Sequence, residues 1–200
     1  MSKILIAMAL ESESQGLLET TGIPILYTGV GKINATYALT RRLAEYACAG
    51  VPMPHVVNFG SAGSRTLSRG SVVACRRFVQ RDMDVTALGF GLGVTPFDDT
   101  PSVLEFPVTT QELPLYTCSS GDSFETGTSL SGAADVIDME AYALAKVCWA
   151  FEAPFSCVKF ITDGANETAS TDWIENVPAA AVHFERLCRA FFGGDACTRA

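Results

Sequence analysis

The sequence is poor in the residues that most catalytic architectures use. It holds two histidines, His55 and His183, and no Gly-x-Ser-x-Gly elbow, so a serine or cysteine triad has few candidate bases and no sharp turn to present the nucleophile. His55 precedes a strand and His183 falls in the last helix, and both read as structural. No Cys-x-x-Cys or His-Glu-x-x-His pair occurs either, which leaves no zinc-type ligand set, and neither a metal nor a cofactor is expected.

Positive charge is also scarce. Fourteen Lys and Arg against 22 Asp and Glu give a formal net charge of −8, whereas a phosphate backbone is held by clustered cations. Nucleic acid is therefore excluded as an expected partner. Long apolar runs are missing too: Ile4 to Leu10 is too short to span a bilayer and leads into Glu11 and Glu13, not into a small-residue cleavage site. We expect no membrane insertion and no export, and hence a cytoplasmic protein. The seven cysteines (Cys48, Cys75, Cys118, Cys148, Cys157, Cys188, Cys197) are odd in number, irregularly spaced and mostly within apolar segments, as reduced core thiols would be.

Two nucleotide signatures fail on inspection. Gly31-Lys32 would need a glycine where Leu26 stands and a hydroxyl residue where Ile33 stands to form a phosphate loop. Gly89, Gly91 and Gly93 lack the third position of the dinucleotide fingerprint and open no helix after a strand.

What is present is a chain of 200 residues, 48% hydrophobic and 18% charged, enough for one domain over residues 1–200 with a full core. Apolar β-rich runs (Lys3 to Ala9, Ile23 to Thr28, His55 to Phe59, Ser71 to Val79, Leu115 to Cys118, Asp135 to Ile137, Pro154 to Ile161) alternate with helical stretches (Glu11 to Glu19, Ile33 to Ala49, Glu140 to Glu152, Pro178 to Phe192). Several runs are apolar on both faces, as in a sheet covered by helices, so the class is α/β. Between Asp84 and Pro114, Gly, Pro and Thr predominate, which reads as a long ordered loop.

The remaining chemistry lies in carboxylates at strand ends: Glu11, Asp122, Glu140 and Asp163. Residues just past the carboxyl ends of strands converge on one crevice in an open α/β sheet, and carboxylates gathered there suit acid/base work on a polar small molecule. Each alone also fits a helix cap or a turn.

Six segments occur in the order found in bacterial methylthioadenosine/S-adenosylhomocysteine nucleosidases: TGVGKINA at 28–35, NFGSAG at 58–63, RDMDVTALGF at 81–90, SGDSF at 120–124, DMEA at 138–141 and ITD at 161–163. From Ile4 to about Trp173 the chain resembles that branch of the purine nucleoside phosphorylase/uridine phosphorylase superfamily. The resemblance implies a three-layer sandwich with a central mixed sheet and hydrolysis of the bond between a purine and its ribose. It implies Asp163 as the general acid at purine N7, supported by Thr162, and Glu11 as the carboxylate orienting the attacking water. Glu140 and Met139 would hold the ribose, Phe124 would stack on the base, and Ser61 and Gly63 would line the ribose and water region. Met8 and Val30 are implied at the 5′ substituent. A homodimer is implied in which Val85, Leu88, Phe90 and Pro96 reach the neighbour's pocket, and Trp173 would close it.

Departures from the family pattern bear on substrate. A hairpin usual before Gly-Val-Gly-Lys is missing, Glu125 stands where an aliphatic residue meets the base, Lys159 replaces an Arg, and Leu88 replaces an aromatic. A smaller 5′ pocket or another base preference would fit. Superfamily phosphorylases carry arginines where this chain has Asn58 and the stretch Met8 to Glu11; an acidic group there repels phosphate but can orient water. Hydrolysis is therefore the expectation. Phosphorolysis with Arg65 or another cation holding the anion, a futalosine-type hydrolase, and a nucleoside-binding protein without turnover are the alternatives.

Overall fold

The computed structural model describes residues 3–107, 112–127 and 134–192. Eight strands form one mixed sheet: β1 (Ile4–Met8), β2 (Ile25–Tyr27), β3 (His55–Gly63), β4 (Val72–Gln80), β5 (Val103–Glu105), β6 (Leu115–Ser120), β7 (Val136–Asp138) and β8 (Phe155–Asp163). The helices are α1 (Glu11–Ser14), α2 (Lys32–Cys48), α3 (Ala141–Ala150) and α4 (Ala169–Phe192). The expected α/β sandwich, a central mixed sheet flanked by helices, is what forms.

The strand order β2-β1-β3-β7-β6-β4-β5 has β8 bridging back between β3 and β4. β8 runs parallel to β3 and antiparallel to β4, so β3, β7, β6, β4 and β8 close into a ring. Ring closure draws the carboxyl ends of β3, β6, β7 and β8 to one place.

Alternation along the strands divides the core in two. Leu5, Ala7, Val56 and Cys157 face α2 and α3 with Leu39, Leu43 and Leu144. Ile6, Met8, Val57, Phe59, Val158 and Phe160 face α4 with Ala180, Phe184 and Cys188. Phe59 and Phe184 meet ring to ring at 5.0 Å. Strand β8 is buried at every position, as a strand covered on both faces requires.

Several element boundaries differ from the sequence reading. The helix expected from Glu11 to Glu19 ends at Ser14, because Gln15 (φ 49°) and Gly16 (φ 73°) turn left-handed; a 3-10 turn, Leu18–Thr21, follows. The helix expected from Pro178 starts at Ala169 and contains Pro178. The buried stripe Ala169, Val177, Ala180, Ala181, Phe184 and Cys188 continues through the proline, so tertiary burial outweighs its missing donor. The stretch read as loop from Asp84 to Pro114 contains a short 3-10 turn and β5, paired antiparallel to β4. β3 and β8 extend beyond Phe59 and Ile161, which places Ser61, Gly63, Thr162 and Asp163 on regular strand.

Among the described residues no helix is long and apolar enough to cross a membrane, and no group of His, Cys, Asp and Glu could hold a metal ion. Cys75, Cys118, Cys148, Cys157 and Cys188 are buried free thiols and Cys48 is exposed; Cys197 lies outside the described residues.

Candidate active site

Where the carboxyl ends of β3, β7 and β8 meet α1 and the start of α4, a cavity of about 370 Å³ opens. Among the residues expected at the site, it is lined by Val30, Ser61, Gly63, Phe124, Glu125, Met139, Glu140, Asp163 and Trp173. Ala9, Leu10, Glu13, Arg81, Asp138, Ser170 and Ile174 also line it and were not expected from the sequence.

Glu11, expected as the water-orienting carboxylate, is exposed and does not line the cavity. Glu13 lies there, 3% exposed. In the first turn of a helix, positions two apart point in different directions, and it is the third residue of α1 that turns inward. Its Oε1 accepts from the backbone N–H and the hydroxyl of Ser61, both at 2.7 Å, and its Oε2 accepts from Leu10 N–H at 3.2 Å. Trp173 Nε1–H donates to Ser61 Oγ at 2.9 Å, which continues the chain to α4. The signal was in the sequence: a Glu three residues after a helix cap commonly reaches back to the cap N–H.

Met8 is likewise absent from the lining. It is fully buried in the α4-side core, because strand alternation sends it to that face while Ala9 and Leu10 beyond the strand reach the cavity.

Asp163 ends β8 at 4% exposure. Ala165 N–H donates to its Oδ1 and the Thr162 hydroxyl to its Oδ2, both at 2.9 Å. Burial pushes the Asp163 carboxyl above the ordinary range, against the pull of those two hydrogen bonds. Thr162 is fully buried and touches Asp163, not the cavity. Gly63, its β3 neighbour just past a β-bulge, must be glycine: a β-carbon there would lie 2.6 Å from Asp163 Oδ1.

Glu140 caps α3, and its Oε1 accepts from Gly31 N–H at 2.8 Å. Gly31 has φ 91°, a conformation glycine adopts without strain. Burial, with the nearby Asp138 charge, raises the Glu140 carboxyl to about 7. Behind it Asp138 pairs with Lys159 at 2.8 Å, both almost wholly buried. Burial opposes the Asp138 charge, but Lys159 outweighs it and holds that carboxyl below the ordinary range.

Phe124 stands at the mouth, 46% exposed. Asp122 lies at the rim, not in the lining, where Lys32 N–H donates to it at 2.8 Å. None of Val85, Leu88, Phe90 and Pro96 lines the cavity of their own chain. Leu88 is 73% exposed, and Phe90 packs edge-on against Phe97 with ring centroids 5.9 Å apart. Arg65 bonds the carbonyl of Gly127 and also lies outside this lining.

The fold is the α/β sandwich seen in nucleoside phosphorylase-like proteins. The structure of 5′-methylthioadenosine/S-adenosylhomocysteine nucleosidase from Neisseria meningitidis superimposes with a TM-score of 0.81 at 23% identity, covering 96% of this chain and 99% of that one. Futalosine hydrolase of Helicobacter pylori gives 0.82 at 22% identity, covering 95% and 97%. Residues 118–193 match the phosphorylase superfamily model. In sequence, the 5′-methylthioadenosine/S-adenosylhomocysteine nucleosidase of Haemophilus ducreyi is 29% identical over 187 residues (84% of this chain, 78% of that protein). The protein of the same name from Bacillus subtilis is 29% identical over 192 residues (86% and 81%). Over residues 118–193 the chain is thus similar to the phosphorylase superfamily, and over most of its length to these nucleosidases.

Proposed function

We propose that the protein hydrolyses the N-glycosidic bond of a purine nucleoside, with Asp163 as general acid and Glu13 orienting the water. The observation that carries this reading is the electrostatics of the cavity: Glu13, Glu125, Asp138, Glu140 and Asp163 line it, and Arg81, its one lining cation among the described residues, has all its donors engaged within the protein. A phosphate dianion would meet carboxylates with no cation to hold it, whereas water needs an acceptor.

The chemistry follows from those groups. Cleavage passes through an oxocarbenium-like ribose, and the purine is a poor leaving group unless protonated as it departs. Asp163, whose raised pKa favours the acid form, supplies that proton at N7. Glu13, fixed by Ser61 and Leu10, accepts a hydrogen bond from water and points its lone pair at C1′. Glu140 accepts from the ribose hydroxyls beside Met139, and Phe124 stacks on the base. Thr162 is a positioning residue for Asp163. Val30, Leu10, Trp173 and Ile174 give the opposite end an apolar lining suited to an uncharged 5′ substituent, as in the methylthioadenosine after which the relatives are named.

We place the protein in the cytoplasm as a homodimer. Unpaired thiols suit a reducing compartment. Exposed Ile33, Tyr37, Leu88 and Phe97 supply apolar surface for a second copy, whose Val85, Leu88, Phe90 and Pro96 would complete the 5′ end.

Release of free base from methylthioadenosine, S-adenosylhomocysteine, adenosine and inosine, with and without phosphate, tests the reading. Base and free ribose without phosphate are expected; strict phosphate dependence would overturn hydrolysis, and binding without turnover would leave a nucleoside-binding protein.

A further inference from the structure

The first turn of α4 and the turn between β3 and β4 carry an ion pair that the catalytic scheme above does not use. Arg69 Nη1–H donates to Asp172 Oδ1 at 2.5 Å, with the Asp172 side chain 11% exposed and that of Arg69 52%. The Thr168 hydroxyl donates to Asp172 Oδ2 at 2.8 Å. Both carboxylate oxygens are engaged, and the anion is held in one place at the edge of the site.

That place adjoins the end of β8. Asn176, one turn further along α4, donates from Nδ2 to the carbonyls of Asp172 (2.8 Å) and Thr162 (3.1 Å), and the Thr162 hydroxyl holds Asp163 Oδ2. From the other side, Gly70 N–H, directly after Arg69, donates to the carbonyl of Ile161 at 2.8 Å. Thus α4 and the β3–β4 turn grip β8 at Ile161 and Thr162, and each brings one charge towards Asp163. The two charges do not cancel: Asp172 is buried and acts through protein, whereas Arg69 stands half in water and is screened. The Asp172 charge adds to the burial that raises the Asp163 carboxyl, and the Arg69 charge opposes it.

We propose that Asp172 and Arg69 are positioning residues that govern the proton on Asp163, Asp172 retaining it and Arg69 loosening it. The inference rests on the reading of Asp163 as general acid. Asp163 shares its cavity with Glu13 from α1, Asp138 and Glu140 from the β7–α3 junction, Arg81 after β4 and Glu125 after β6; the variants below leave all of these in place.

Carbon NMR titration of protein labelled at the aspartate carboxyl carbon, with the Asp163 resonance assigned by its loss in Asp163→Asn, tests this without requiring turnover. Arg69→Gln should move the Asp163 midpoint up by about half a pH unit, Asp172→Asn should move it down by at least as much, and the double variant should fall between them. Loosened packing would admit water and lower the midpoint in every variant. An upward shift in Arg69→Gln, at a half-exposed side chain, therefore separates charge from damage even should Asp172→Asn not fold. The falling limb of kcat/KM with rising pH should follow the NMR midpoint, because the acid acts only while protonated. Midpoints that move the same way in both single variants, or that stay unmoved in Arg69→Gln, would overturn the assignment. Opposite midpoint shifts with an unmoved kcat/KM limb would uphold the action of the pair on Asp163 and overturn Asp163 as the general acid.

Discussion

Gly63 and Asp163 lie side by side on parallel strands, paired just past a β-bulge, with no room for a β-carbon between them: it would sit 2.6 Å from Asp163 Oδ1. The carboxylate is held by Ala165 and Thr162, so the strain of a larger residue falls on the acid. Gly63→Ala should lower kcat by about tenfold or more, since small misplacements of a catalytic group are costly, with a loss of stability of about 1–3 kcal/mol from overpacking. Steady-state kinetics and denaturant unfolding read the two effects separately.

Position along α1 separates two acidic residues only two apart. Glu13→Gln should reduce kcat by about a hundredfold or more, because an amide in place of the carboxylate weakens the acceptor facing water. Glu11→Gln, on the exposed side, should stay within about twofold of wild type. Asp163→Asn should abolish turnover of substrates whose base leaves only when protonated. Comparable losses in the Glu11 and Glu13 variants would refute the assignment.

The Glu140 carboxyl, raised from 4.5 to about 7 by burial first and by Asp138 second, binds its proton more tightly in the folded chain than in the unfolded one. Its contribution to stability is therefore fully present below about pH 4.5 and is lost as pH rises through 7, on the order of 3 kcal/mol in all. Denaturant midpoints of wild type and Glu140→Gln, compared from pH 5 to pH 8, should diverge in favour of the variant as pH rises. Parallel curves would remove the raised pKa.

Lys159 and Asp138 form an ion pair deep in the protein, where truncating one partner strands the other's charge. Lys159→Met should cost about 3–5 kcal/mol, and adding Asp138→Asn should recover part of that loss. Urea unfolding of the two variants measures it; a double variant no more stable than the single one would argue against charge stranding as the cause.

The apolar residues exposed on α2 and the 84–97 loop bear on assembly. Tyr37→Asp, at a side chain 68% exposed, should shift the protein from dimer to monomer in analytical ultracentrifugation and raise KM for nucleosides bearing an apolar 5′ group. A wild-type protein that sediments as a monomer would refute the dimer.

Composition and alternation determined the α/β class, most strands, and the position of Glu140 and Asp163 at strand ends around one crevice, because strand periodicity and strand-end position are local properties; Phe124, Ser61 and Gly63 were legible there only through the resemblance of short motifs to a known family. Which side chains face that crevice was decided elsewhere. Glu13 in place of Glu11, Ala9 and Leu10 in place of Met8, and the start of α4 nine residues before Pro178 depend on how α1 and α4 dock on the closed sheet. Arg81, Asp138 and Lys159 became site residues only when β4, β7 and β8 were brought together. Direction of a side chain across an element end, and pairing of charges far apart in the chain, are set by tertiary packing, to which local sequence carries no direct reference.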